Sequence, residues 1–213
     1  MTPNAASEIT EEICRRAPII PVLVIEDAAR ARPLAEALIA GGLPVLEVTL
    51  RTPAALDAIR EMAGVEGGVV GAGTLLTPAD VEAAAAAGAT FGVSPGATPA
   101  LLDAARAGDL PLLPGAATAT EAMILLERGY TVQKFFPAEA AGGAPALKAL
   151  ASPLPQIRFC PTGGVSPANA ASYLSLPNVI CAGGSWIAPK DKVAAGDWDA
   201  ITALAREAAA LPR

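Results

Sequence analysis

Alternation is the strongest constraint on this chain. Eight short apolar runs, at residues 19–25, 45–50, 69–73, 90–94, 110–113, 131–136, 156–160 and 179–182, read as strands separated by alanine-rich helical stretches. Their midpoints recur about every 20–26 residues, close to the minimum for one strand, one helix and two short loops. Residues 27–40 carry Leu34, Ala37, Leu38 and Ile39 on an apolar stripe and stop at Gly41-Gly42, as an amphipathic helix does. Thr77-Pro78, Thr98-Pro99 and Ser166-Pro167 each place a capping residue before a proline suited to the first helical position. A leading helix is expected over 7–16 and a closing one over 197–210. Strict βα alternation predicts a parallel sheet. Eight such units can close into a (β/α)8 TIM barrel, and an open doubly wound sheet is the competing arrangement. The count of eight, and charged residues set inside apolar strands, favour the barrel. The expectation is an α/β chain with one domain over 1–213: an extra N-terminal helix over 1–16, then the barrel over 17–213.

Composition then narrows the chemistry. The chain has 213 residues and no histidine. That excludes Ser-His-Asp triads, Cys-His pairs and His-ligated zinc. Acid–base work must fall to Glu, Asp, Lys, Tyr or Cys. The three cysteines, Cys14, Cys160 and Cys181, lack CxxC spacing and read as buried thiols in a reducing compartment. The net charge of −6 argues against nucleic-acid or anionic-membrane partners. Mean hydropathy is +0.45, yet no uninterrupted apolar run of the ~18 residues a membrane span needs is present. The first residues, MTPNAASEITEEICRR, lack the apolar stretch of a signal peptide. A cytoplasmic protein is expected.

Three segments stand out. In Pro44-Val-Leu-Glu-Val-Thr-Leu-Arg51, a period of two puts Leu46, Val48 and Leu50 on one face and Glu47, Thr49 and Arg51 on the other. The apolar face suits packing against helices, and the polar face would point inward. An internal ion pair is the plainer reading of Glu47 and Arg51. Of four lysines, Lys134 alone lies in an aromatic and β-branched strand, Tyr130-Thr-Val-Gln-Lys-Phe-Phe-Pro-Ala-Glu139. Burying an ammonium is costly, which favours the neutral amine. A neutral amine attacks ketones and forms Schiff bases; a salt-bridged structural lysine is the plainer alternative. Third, Pro161-Thr-Gly-Gly164 and Ala182-Gly-Gly-Ser185 follow the seventh and eighth strands, where barrels commonly bind phosphate through backbone N–H groups. Ser185 could add a hydroxyl. Thr74, after Gly71-Ala-Gly73, could bind a ligand carboxylate beside Arg51. Glu139 reads as a helix cap or as a group orienting the rim, and Trp186 and Trp198 as packing residues.

Taken in order, Leu46-Glu-Val-Thr-Leu-Arg51, Gly71-Ala-Gly-Thr74, Ser94-Pro-Gly96, Lys134-Phe-Phe-Pro-Ala-Glu139, Arg158-Phe-Cys-Pro-Thr-Gly-Gly164 and Gly183-Gly-Ser-Trp186 closely resemble the bacterial 2-keto-3-deoxy-6-phosphogluconate (KDPG) and 4-hydroxy-2-oxoglutarate (KHG) aldolases. The resemblance runs from about Ala17 to the C-terminus. It implies a class I aldolase of the Entner-Doudoroff pathway on a (β/α)8 barrel, a homotrimer that needs no metal or other cofactor and acts on a phosphorylated 2-keto acid. It implies Lys134 as the Schiff-base residue and Glu47 as general acid and base. It carries carboxylate binding onto Arg51 and Thr74, with Pro95 lining the site, Phe136 beside the imine and Thr162 near the reacting carbons. Phosphate binding falls on Gly163, Gly164, Gly184 and Ser185. Two positions depart from the family pattern: Gln133 replaces an aromatic before the lysine, and Ala97 replaces a bulkier residue after Ser94-Pro-Gly96. Alternation points Gln133 away from Lys134. The galactonate epimer of KDPG, a phosphosugar isomerase or epimerase reaction, and non-catalytic phosphate binding are the competing functions.

Overall fold

The computed structural model describes residues 2–212. Helix α1 (Pro3–Arg15) leads into strand β1 (Ile19–Leu23), and a 3-10 turn (Ala28–Arg30) runs on into α2 (Ala31–Ala40). Then follow β2 (Val45–Thr49), α3 (Ala55–Ala63), β3 (Val69–Gly73), α4 (Pro78–Ala86), β4 (Phe91–Val93) and α5 (Pro99–Ala107). Two very short strands, β5 (Leu112–Leu113) and β6 (Gly115–Ala116), precede α6 (Ala119–Glu127), β7 (Val132–Phe135), α7 (Gly143–Ala151) and β8 (Arg158–Pro161). The chain ends through α8 (Ala170–Leu174), β9 (Ala182–Gly184), α9 (Lys190–Ala195) and α10 (Trp198–Ala209).

Local chemistry explains most boundaries. Thr77 accepts the Asp80 N–H while Asp80 accepts the Thr77 N–H, a capping box that opens α4 at Pro78. Thr98 accepts the Leu101 N–H at the start of α5. The Ser166-Pro167 pair does not open a helix: α8 begins only at Ala170. Asn169 intervenes, its Oδ1 accepting the Ser166 N–H at 2.7 Å. That side-chain bond offers the backbone a turn in place of a first helical turn.

All strand pairs are parallel, but the expected closed eight-stranded barrel is not what the structure contains. A curled six-stranded sheet, ordered β5-β4-β3-β2-β1-β9, faces a separate three-stranded sheet, β6-β7-β8. The fifth expected strand splits at Pro114: Leu112 and Leu113 pair with β4, whereas Gly115 and Ala116 pair with β7. Proline has no N–H to continue a ladder. The eighth strand forms later than expected, at Ala182–Gly184, and pairs with β1. Between it and β8 only the isolated bridges Phe159–Val179 and Thr162–Gly183 form. The chain leaves β8 through Gly163 and Gly164 at φ 99° and 82°, values that end an extended ladder.

The two sheets nevertheless share one interior. Val45, Phe91, Val93 and Leu113 from the larger sheet pack with Val132 and Cys160 from the smaller one. Ile13 and Cys14 of α1 join the same cluster, so the leading helix plugs the end where the strands begin. On the other face of β2, Leu46 and Val48 belong to the large cluster shared with the helices. The alternation read from the sequence therefore sorts β2 as expected, and it places Glu47 two residues beyond an interior valine.

Candidate active site

Glu47 and Lys134 meet across the shared interior. Each is 3% exposed, and Lys134 Nζ lies 3.1 Å from Glu47 Oε1. Glu47 comes from the six-stranded sheet and Lys134 from the three-stranded one, so their pairing spans the two ladders. Gly73 makes room for the carboxylate, because a Cβ there would overlap Glu47. Lys134 Nζ also sits 5.4 Å from the centroid of Phe136, within cation–π range. The pair is buried, charged groups being tolerated there only when partnered.

Arg51 and Thr74 meet at the adjoining strand ends. Arg51 Nε donates to Thr74 Oγ1 at 3.0 Å. Thr74 holds φ at 62°, a left-handed conformation rare for a β-branched residue. Arg51 is exposed, and with one N–H engaged among the described residues its guanidinium keeps four donors for an anion. Pro95 abuts the Lys134 strand through Gly115: that glycine pairs with Lys134, and a Cβ on it would overlap the Pro95 carbonyl.

The two glycine pairs lie side by side through the Thr162–Gly183 bridge. Gly163 packs against the Phe136 ring, and a Cβ at Gly184 would overlap the Trp186 ring. Trp186 thus packs, as expected, against the very loop it follows. Thr162 Oγ1 is buried and has no hydrogen-bond partner among the described residues. Gln133 points away from Lys134, its Nε2 donating to Ala122 O at 3.0 Å and Tyr130 O at 2.9 Å.

Glu139 departs from the helix-cap reading. Gly142 caps α7, whereas the Glu139 carboxylate accepts a hydrogen bond from the Tyr173 hydroxyl. The Glu139 N–H donates to Gly163 O at 3.0 Å. Tyr173 carries no signal in the sequence, since an aromatic in a short apolar helix does not reveal its partner. Burial, then the hydrogen bond to Glu139 and its charge, push the Tyr173 phenol well above its ordinary value. Among the described residues no group of three or more Cys, Asp or Glu is arranged to hold a metal ion. No helix among them is long and apolar enough to cross a membrane.

A buried amine beside a carboxylate, with an arginine at one side and glycine loops at the other, suits carbonyl chemistry on an anionic substrate. The family profile for KDPG and KHG aldolase matches residues 10–204, and the chain belongs to that family. It is 54% identical over 202 residues to the 2-dehydro-3-deoxy-phosphogluconate aldolase of Pseudoalteromonas atlantica, covering 94% of each chain. The KDPG aldolase of Zymomonas mobilis, solved with 3-phosphoglycerate, aligns at TM-score 0.93 and 53% identity over 97% of this chain and 98% of that one. That of Legionella pneumophila, holding pyruvate as a covalent carbinolamine intermediate, aligns at TM-score 0.91 and 47% identity over 94% and 98%.

Proposed function

We infer that this chain is a class I aldolase that cleaves KDPG reversibly to pyruvate and D-glyceraldehyde 3-phosphate. The buried Lys134–Glu47 contact of 3.1 Å carries this reading, in a chain whose relatives bear that activity in their names. A proton passing from the ammonium to Glu47 along that contact leaves a neutral amine. Lys134 attacks C2 of the keto acid and forms a carbinolamine, and loss of water gives the protonated imine. Glu47, deprotonated again, takes the C4 hydroxyl proton. The C3–C4 bond breaks, its electrons flow into the imine, and the aldehyde leaves. Glu47 returns the proton to C3 of the enamine, and water releases pyruvate and the free amine. Arg51, steadied by Thr74, pairs with the substrate carboxylate. Pro95, Phe136 and Thr162 line the reacting carbons, and Gly163, Gly164, Gly184 and Ser185 receive the phosphate. The chemistry draws on no cofactor.

Membership of a family of KDPG and KHG aldolases supports 4-hydroxy-2-oxoglutarate, cleaved to pyruvate and glyoxylate, as a second substrate. The reading also includes the cytoplasmic homotrimer and the Entner-Doudoroff role that the resemblance implies. Leu76, Met123 and Ile124, large and exposed, supply apolar surface for such an assembly, and sedimentation equilibrium measures it. Borohydride reduction in the presence of pyruvate, followed by peptide mass mapping, tests the chemistry. A reduced pyruvyl adduct on Lys134 is expected. Folded protein that yields no adduct would overturn the imine and leave a phosphosugar site with a structural lysine. Comparing kcat/KM for KDPG and its galactonate epimer tests the substrate; preference for the epimer would overturn the choice of KDPG.

A further inference from the structure

We propose that Tyr173 and Asn169 are positioning residues that together hold the Gly163–Gly164 turn and so set the preference for a phosphorylated substrate. This rests on the aldolase reading and on the phosphate subsite placed at that turn. Two consecutive glycines in the left-handed region have wide conformational freedom. Successive backbone N–H groups form an anion-binding concavity only when the turn is held in one shape. A turn ordered before the ligand arrives binds it more tightly than one ordered by it.

The structure contains two restraints on that shape. Asn169 Nδ2 donates to Gly164 O at 3.0 Å. The same side chain accepts the Ser166 N–H at 2.7 Å through Oδ1, so one amide ties the Gly164 carbonyl to the chain leaving the turn. A second restraint comes from the chain leaving the Lys134 strand, which runs alongside the turn. Ala138 N–H donates to Thr162 O at 2.8 Å and Glu139 N–H to Gly163 O at 3.0 Å. The Glu139 side chain lies where a Cβ of Gly164 would be, and its carboxylate is held by the Tyr173 hydroxyl. Tyr173 is fully buried on α8, just beyond the turn. The phenol thus holds the Glu139 carboxylate, and the Glu139 backbone holds the turn at the Gly163 carbonyl. With its titration pushed upward by burial and by Glu139, Tyr173 stays a donor throughout the neutral range.

The experiment compares kcat/KM for KDPG with kcat/KM for unphosphorylated 4-hydroxy-2-oxoglutarate in the full-length enzyme and its variants. Tyr173→Phe and Asn169→Ala should each lower the phosphorylated-to-unphosphorylated ratio about fivefold, the worth of one hydrogen bond. The loss should fall on KM for KDPG rather than on kcat. Glu139→Gln, whose amide oxygen still accepts from the phenol, should keep the ratio closer to wild type than Glu139→Ala. An unchanged ratio in Tyr173→Phe and Asn169→Ala would overturn the proposal, as would equal losses on both substrates, which mark a merely structural role. If Tyr173→Phe does not fold, Asn169→Ala and the Glu139 pair decide the matter. Wild-type protein without KDPG turnover or a borohydride adduct would instead overturn the aldolase reading itself.

Discussion

The interior has two floors built by the same strands, and they bury ionisable groups in opposite ways. The lower floor holds Val45, Val132 and Cys160, closed from beneath by Ile13 and Cys14. Two residues further along the same three strands stand Glu47, Lys134 and Thr162. The lower floor gathers all three cysteines of the chain, each free and buried. Hydrogen bonds to Cys14 and Cys160, followed by burial, push the Cys181 thiol well above its ordinary value. The Cys181 thiol stays neutral, and all three sulfurs pack as small hydrophobes. The upper floor instead buries an amine and a carboxylate that stand 3.1 Å apart. A neutral thiol can be buried alone, whereas a buried charge needs a partner. The lower floor therefore buries small thiols that need no ionic partner, and the upper floor buries an amine and a carboxylate that partner each other.

The contrast can be broken from either side. The largest effect is expected on the upper floor: Lys134→Met should leave no borohydride adduct and reduce turnover to background, with circular dichroism confirming the fold. Glu47→Gln should still form the imine but turn over at least ~10²-fold more slowly, the usual share of a general acid–base group; near-normal turnover would remove Glu47 from the chemistry. Phe91→Ala, on the lower floor, should lower stability by about 3–5 kcal/mol in urea unfolding, because its ring fills the space over Gly71 and a cavity would replace it. The smallest effect lies outside both floors, at the exposed capping box of α6. There the Ala117 N–H, with further help from Thr118, lowers the Glu121 carboxyl below its ordinary 4.5 against an opposing effect of burial. Its stabilisation is present above that ordinary value and is lost as pH falls through the lowered one. Glu121→Gln should thus cost about 0.3–1 kcal/mol at neutral pH and low salt, and the difference should vanish in acid.

Much of this was legible in the residues. The alternation located most of the helices, though not α9, and nearly every strand, since an apolar period of two or of 3.6 is a local property of the chain. The Thr77 and Thr98 caps were readable because their partners lie three residues away. Ser166-Pro167 looked the same and failed, because the Asn169 side chain captured the Ser166 N–H. Continuity of the sheet was misread as well: Pro114 was visible, but where it would divide the ladder depends on which neighbours the flanking residues find. In the site, the inward face of Glu47 and the apolar setting of Lys134 were plain. The Tyr173–Glu139 bond, joining residues 34 positions apart, was not.

The sequence by itself determined which residues lie inside, where most elements form and which side chains have unusual surroundings. Those properties depend on periodicity, capping and composition within about a dozen residues of each position. Only the tertiary structure decided that the strands divide into two sheets, that Glu47 and Lys134 meet across them though 87 residues apart, and that Tyr173 and Asn169 grip one turn. Such contacts depend on strand curvature and on side chains meeting across the interior, and their geometry is absent from any local stretch of sequence.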